Sequence, residues 1–203
     1  MSPLPAPEAL PFWAVGARRS QPGQPTAKEL IARVREATRS EATLLALLDA
    51  RSVLGPRHLL SAWAHLGRAR GRGQARLRDR GAEFLLFVAG DDQLPRALAK
   101  VGVQADTEEF VLAGERPRQP EPLLEAFGLV GAPEVYPRPP TEALLDRLGI
   151  LPAERAILPS AQWEGLVLER VALLELGAPH PETAPGEDRP SRRKGREPPA
   201  KAS

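Results

Sequence analysis

The chain has 203 residues, 42% of them hydrophobic, which is enough for one domain with an apolar core plus tails. It has no cysteine, which excludes a disulfide framework, thiolate chemistry and zinc–thiolate sites. No apolar run approaches a membrane span and the N-terminus lacks a signal-peptide pattern, so a cytoplasmic protein without a membrane partner is expected.

Residues 1–11 hold four prolines and read as a flexible arm. Phe12 to Ala17 reads as a first strand. Thr26-Ala27-Lys28-Glu29 is a capping box: the Thr side chain accepts the N–H three residues on, and the Glu reaches back. The helix behind it is expected to bury Leu30, Ile31, Val34 and Ala37. Thr43 to Leu48 reads as a second strand. Pro56 suits the first position of a helix running to about Arg70, with Leu59, Leu60, Trp63 and Leu66 inward. Arg57, His65, Arg68 and Arg72 fall outside it or beyond its end. His58 and His65 lie two turns apart on one side. A metal site needs a third ligand and only His180 remains, so both read as surface histidines.

From Arg51 to Ala82 there are eight arginines against one acid, Asp79, whereas residues 103–188 carry an excess of Asp and Glu. A basic block followed by an acidic body points to one face for a polyanion and another for a different partner. Gly67, Gly71 and Gly73 interleave with the arginines as in a short RNA-binding tract. The apolar elements on both sides favour a helix end and a turn, with a further helical turn from Arg76 to Arg80. A solvated arginine face is the plain alternative.

Glu83 to Val103 is the central stretch. Phe84 to Ala89 are six apolar residues in a row, which suits a strand buried on both faces. Gly90 breaks it. Asp91 or Asp92 can cap a helix with Pro95 in its first turn, Leu94, Leu98 and Val101 inward, and Gly102 at its end. Read this way, the turn lies at the C-terminal end of a buried strand, where open α/β sheets bind ligands.

Thr107 to Ala113 reads as a strand, and Leu123, Leu124 and Phe127 as a short helix ended by Gly128. Residues 130–140 read as loop or a short edge strand. Thr141 caps a helix with Leu144, Leu145 and Leu148 inward, and Gly149 stops it. Ser160 caps the last helix, whose Leu166, Val167, Val171 and Leu174 make it apolar almost all round. Burial against both the core and a partner would explain that pattern. Residues 178–203 read as a disordered Pro/Arg-rich tail. The expected fold is α/β: a mixed central sheet flanked by helices, in a single compact domain over 12–177.

For chemistry, Asp91-Asp92 at a strand end can hold Mg²⁺, although capping accounts for at least one of them more simply. No Ser-His-Asp arrangement, phosphate-cradling glycine loop or His-Glu helix motif is present. The expectation is a chain without catalytic residues, cofactor or metal.

The central stretch resembles the core motif of the PRPK-binding protein family, the kinase-binding subunit of the KEOPS complex of archaea and eukaryotes. The matching residues are Glu83, Phe84 to Val88, Gly90, Gln93-Leu94 and Lys100-Val101-Gly102-Val103. Leu47-Leu48-Asp49-Ala50 followed by Gly55-Pro56-Arg57-His58-Leu59-Leu60 fits the same family, as does Leu166 to Leu176. Asp92 stands where the family often has Arg. The resemblance implies an archaeal, non-catalytic accessory subunit, a monomer within a larger complex. It would bind the complex's atypical kinase/ATPase and, indirectly, serve the threonylcarbamoyl transferase subunit. It would also help recruit tRNA by its CCA end, for threonylcarbamoylation of the adenosine next to the anticodon. On that basis Arg68, Arg72, Arg76, Arg78 and Arg80, with Gln93, Leu94 and Arg96 at the turn, are expected to contact tRNA. Glu169, Val171 and Leu174 of the last helix are expected to face the kinase. The alternatives are a kinase-docking regulator with little RNA affinity and a Mg²⁺-dependent hydrolase using Asp91.

Overall fold

The computed structural model describes residues 11–39 and 43–177; the proposed arm, apart from Pro11, and the proposed 178–203 tail lie outside the described residues. Four strands form: β1 (Phe12–Arg19), β2 (Leu45–Asp49), β3 (Glu109–Glu115) and β4 (Leu129–Gly131). The helices are α1 (Ala27–Thr38), α2 (Pro56–Gly71), α3 (Arg80–Ala89), α4 (Leu94–Val101), α5 (Pro120–Phe127), α6 (Glu142–Arg147), α7 (Pro152–Ala156) and α8 (Trp163–Glu175).

Alternation along each strand sorts the apolar residues onto two faces of the sheet. Phe12 and Ala14, Ala46 and Leu48, and Val111 and Ala113 share one face, packed by α2, α3 and α8. Ala17, Leu45, Leu47, Phe110 and Leu112 share the other, covered by Leu30 of α1 and by Leu124 and Phe127 of α5. The strand order is β2-β3-β1-β4 and every ladder is antiparallel. The sheet-and-helix domain is therefore as expected, but its sheet is antiparallel throughout rather than mixed.

The strand expected in the central stretch does not form. Residues Phe84–Ala89 belong to α3, not to a strand. The Asp79 carboxylate accepts the Ala82 N–H at 3.0 Å and starts the helix one turn earlier than the apolar run. Gly90, at φ 59°, ends it in the left-handed conformation, with the Asp91 N–H returning to the Leu86 C=O at 3.0 Å. α3 packs against β2, α2, α4 and α8 and so has no polar stripe. A helix buried on every side gives the same short apolar run as a buried strand.

Smaller expectations also change. The segment from Arg76 to Asp79 is irregular, and helix begins only at Arg80. Ser160–Gln162 is a short 3₁₀ turn, and α8 starts at Trp163 without a side-chain cap. Ile31 and Leu98 stay about two-fifths exposed, at 39% and 40%. His58 is fully buried rather than on the surface. Its Nδ1 accepts the Leu54 N–H and its Nε2–H donates to the Val88 C=O at 2.9 Å, which defines one neutral tautomer. Burial pushes its pKa down to about 4.

Candidate nucleic-acid interface

The basic block runs through α2 and the loop into α3, and most of its arginines pair with acids or carbonyls, mainly from later in the chain, while Arg57, Arg68 and Arg72 stay half-exposed or more. Arg68 and Arg72, at the end of α2, both reach Glu175 in the last turn of α8, where His65 Nδ1 also binds it. Burial pushes the Glu175 carboxyl up, but His65, Arg72 and Arg68 outweigh it and hold it below the ordinary glutamate value. Arg76 donates its guanidinium to the Leu174 C=O at 2.6 Å, one of the carbonyls that α8 cannot satisfy internally. Arg80 binds Glu115 at 2.6 Å; the same carboxylate accepts the Trp63 indole N–H and the Leu44 N–H.

The other arginines of the block behave alike. Arg70 binds the fully buried Glu83 at 2.6 Å, and the Arg76 backbone N–H donates to the same side chain. Arg51 holds buried Asp49, and Arg57 reaches Glu164 at 3.0 Å. Among the described residues, Arg78 alone in this block has a guanidinium with no acid or carbonyl partner. The strong positive charge read along the sequence is thus largely neutralised in space.

The second group of expected tRNA contacts sits at the opposite end of α3. Ten residues of helix, roughly 15 Å, separate Arg78 and Arg80 from the turn. Gln93 is exposed at the cap position of α4, and Leu94 is half-buried behind it. Arg96 binds Asp91 at 3.0 and 3.1 Å and Asp92 at 2.9 Å. Asp92 therefore engages Arg96. Burial works to raise the Asp91 carboxyl, but Arg96, the Gln93 N–H and Lys100 hold it at about 2. A carboxylate committed to two cations is poorly placed to hold Mg²⁺. Among the described residues, no three His, Asp or Glu side chains gather as a metal site.

A groove of about 220 Å³ runs past Asp79, Gly81 and Leu94, and of the expected tRNA contacts only Leu94 lines it. It lies between α1, the edge strand β2 and the packed pair α3–α4. Ile31, Val34, Leu94 and Leu98 form apolar walls, with Arg35 and Asp79 also lining it. The exposure of Ile31 and Leu98 has its explanation here: they face the groove rather than the core.

On α8, Val171 and Leu174 are 0% and 4% exposed and pack into the chain's own core; of the three expected docking residues only Glu169 faces solvent. Two-sided burial of α8 comes from α2 and α3. Arg170, unnoticed in the sequence, is also buried, and binds Glu154 of α7 at 2.7 Å. Glu83, Glu115 and Glu175 were missed as arginine partners because each pairs over a distance that no local spacing encodes. No protein-family model matches the chain, and no curated protein matches it.

Proposed function

We propose that the chain is a non-catalytic adaptor of the KEOPS type. It docks on the complex's atypical kinase/ATPase and lends a modest tRNA-contacting surface for threonylcarbamoylation of the adenosine next to the anticodon. It acts in the cytoplasm as a monomer within the larger complex, and serves the threonylcarbamoyl transferase indirectly. The observation that carries the tRNA part is the groove between α1, β2 and α3–α4. Its walls are apolar, Leu94 forms part of them, and Asp79, the sequence neighbour of the unneutralised Arg78, also lines it. Unpaired bases pack on apolar walls while arginines neutralise phosphates. The neutralised arginine block favours a second reading, a kinase-docking protein with little RNA affinity of its own.

A mobility-shift titration with intact tRNA and tRNA trimmed of its CCA end separates the two. The adaptor reading expects weak binding that drops on trimming by more than phosphate loss alone, since a stacked base is worth about 1–3 kcal/mol. It also expects Arg78→Glu to weaken both substrates and Leu94→Ala to blunt the preference for the intact end. Equal binding of both tRNAs leaves only kinase docking. A robust Mg²⁺-dependent turnover abolished by Asp91→Asn would overturn the non-catalytic reading altogether.

A further inference from the structure

Strand β1 is paired along one edge and only half paired along the other. The Ala132 N–H donates to the Gly16 C=O at 2.9 Å, and the Ser20 N–H to the Gly128 C=O at 3.1 Å. These bonds fix the parity: even-numbered residues of β1 aim their backbone groups toward β4. Phe12 and Ala14 therefore aim an N–H and a C=O outward on that side. β4 covers only Ala17 to Arg19, and Pro133 then turns the chain into a short 3₁₀ helix, Pro133–Val135. Among the described residues no strand lies beside Phe12 and Ala14.

The opening is a groove of about 780 Å³, with Ala14 and Val15 as its floor. α5 forms one wall, and Pro133 and Tyr136 the other. Glu121 and Glu125, both exposed, line the α5 wall one helical turn apart. Like charges at this spacing repel, and neither meets a cation among the described residues. No Lys or Arg is among the described residues that line the groove. The two acids stand about 6 Å apart along the helix axis, close to the roughly 6.6 Å between alternate residues of a strand. The spacing of cations at alternate positions of an added strand matches the spacing of the two acids.

We propose that the open edge of β1 accepts an extended segment of a partner protein carrying Lys or Arg at alternate positions. Backbone bonds to Phe12 and Ala14 supply affinity, and Glu121 and Glu125 select the cations. A second copy is the poorer occupant, because pairing β1 with β1 would bring the Glu121 and Glu125 of both copies to one seam.

The test is fluorescence anisotropy of the full chain with a labelled peptide, Thr-Lys-Val-Lys-Thr-Lys-Val. The expected result is saturable binding, at least tenfold weaker for a peptide of equal composition with its lysines contiguous. It should also weaken at least tenfold when the alternate amides facing β1 are N-methylated, and in the Glu121→Lys/Glu125→Lys variant. No binding, or equal binding of all three peptides, overturns the proposal. This chain has the same cation spacing at Arg192, Lys194 and Arg196, outside the described residues. If changing these three to Ala tightens peptide binding tenfold, the groove's occupant is the chain's own segment and the partner reading fails. Dimerisation strengthened by the double Lys variant would contradict it in favour of a second copy.

Discussion

Two buried titratable residues show how single side chains set this protein's response to change. His58 is neutral in the fold because burial depresses its pKa to about 4, below the value of 6.5 for an unburied imidazole. The unfolded chain takes up this proton first as pH falls. The stabilising contribution is complete above about pH 6.5 and gone below about pH 4, and amounts to roughly 3 kcal/mol. Urea unfolding at pH 7 and at steps down to pH 4 should show that loss, and His58→Gln should flatten it. Glu83 gives the second case. It is fully buried, and Arg70 is its ionic partner. Arg70→Ala leaves an uncompensated charge inside, and about 3–5 kcal/mol of stability should be lost in the same assay. Arg78→Ala, at an exposed position of the same block, should change stability by less than about 0.5 kcal/mol.

At the scale of elements, the junction of α3 and α4 holds the arrangement. Gly90 has φ 59°, and an added Cβ would stand 2.8 Å from the Arg170 Cβ on α8. Gly90→Ala therefore carries both backbone strain and a collision, and should lower stability by roughly 1–3 kcal/mol on thermal or denaturant unfolding. Elements with local punctuation were legible in the sequence: the Thr26 capping box, Pro56 at the start of α2, Gly128 after α5 and Thr141 before α6. β1, β2 and β3 were legible as apolar runs. α3 was not, because burial on all sides removes the periodicity that marks a helix, and its cap, Asp79, precedes the apolar run. Arg78 and Arg80 precede the apolar run and Gln93 follows it, so the two groups lie at opposite ends of that element whether it is strand or helix. The groove was invisible because it depends on α1 and β2 meeting α3–α4, which no short spacing records.

At the scale of the whole molecule, charge is arranged to hold the fold before it serves a partner. Glu175 ties Arg68, Arg72 and His65, and so joins the ends of α2 and α8. On the adaptor reading, this arrangement would make RNA affinity adjustable at one acid. Glu175→Gln keeps one acceptor oxygen, turns the other into an amide donor and removes the charge that neutralises two arginines. Its tRNA affinity should rise, and the fall of log K with log salt should steepen by about 1–2 for the two phosphates newly engaged. Unchanged affinity and slope in a salt titration would mean that this surface does not meet RNA. The adaptor reading as a whole is tested most directly by affinity capture of the full chain from its source cell, with mass spectrometry and RNA sequencing of what is retained. The account predicts the atypical KEOPS kinase/ATPase, its threonylcarbamoyl transferase and tRNA together. Capture that retains neither the kinase nor tRNA contradicts it.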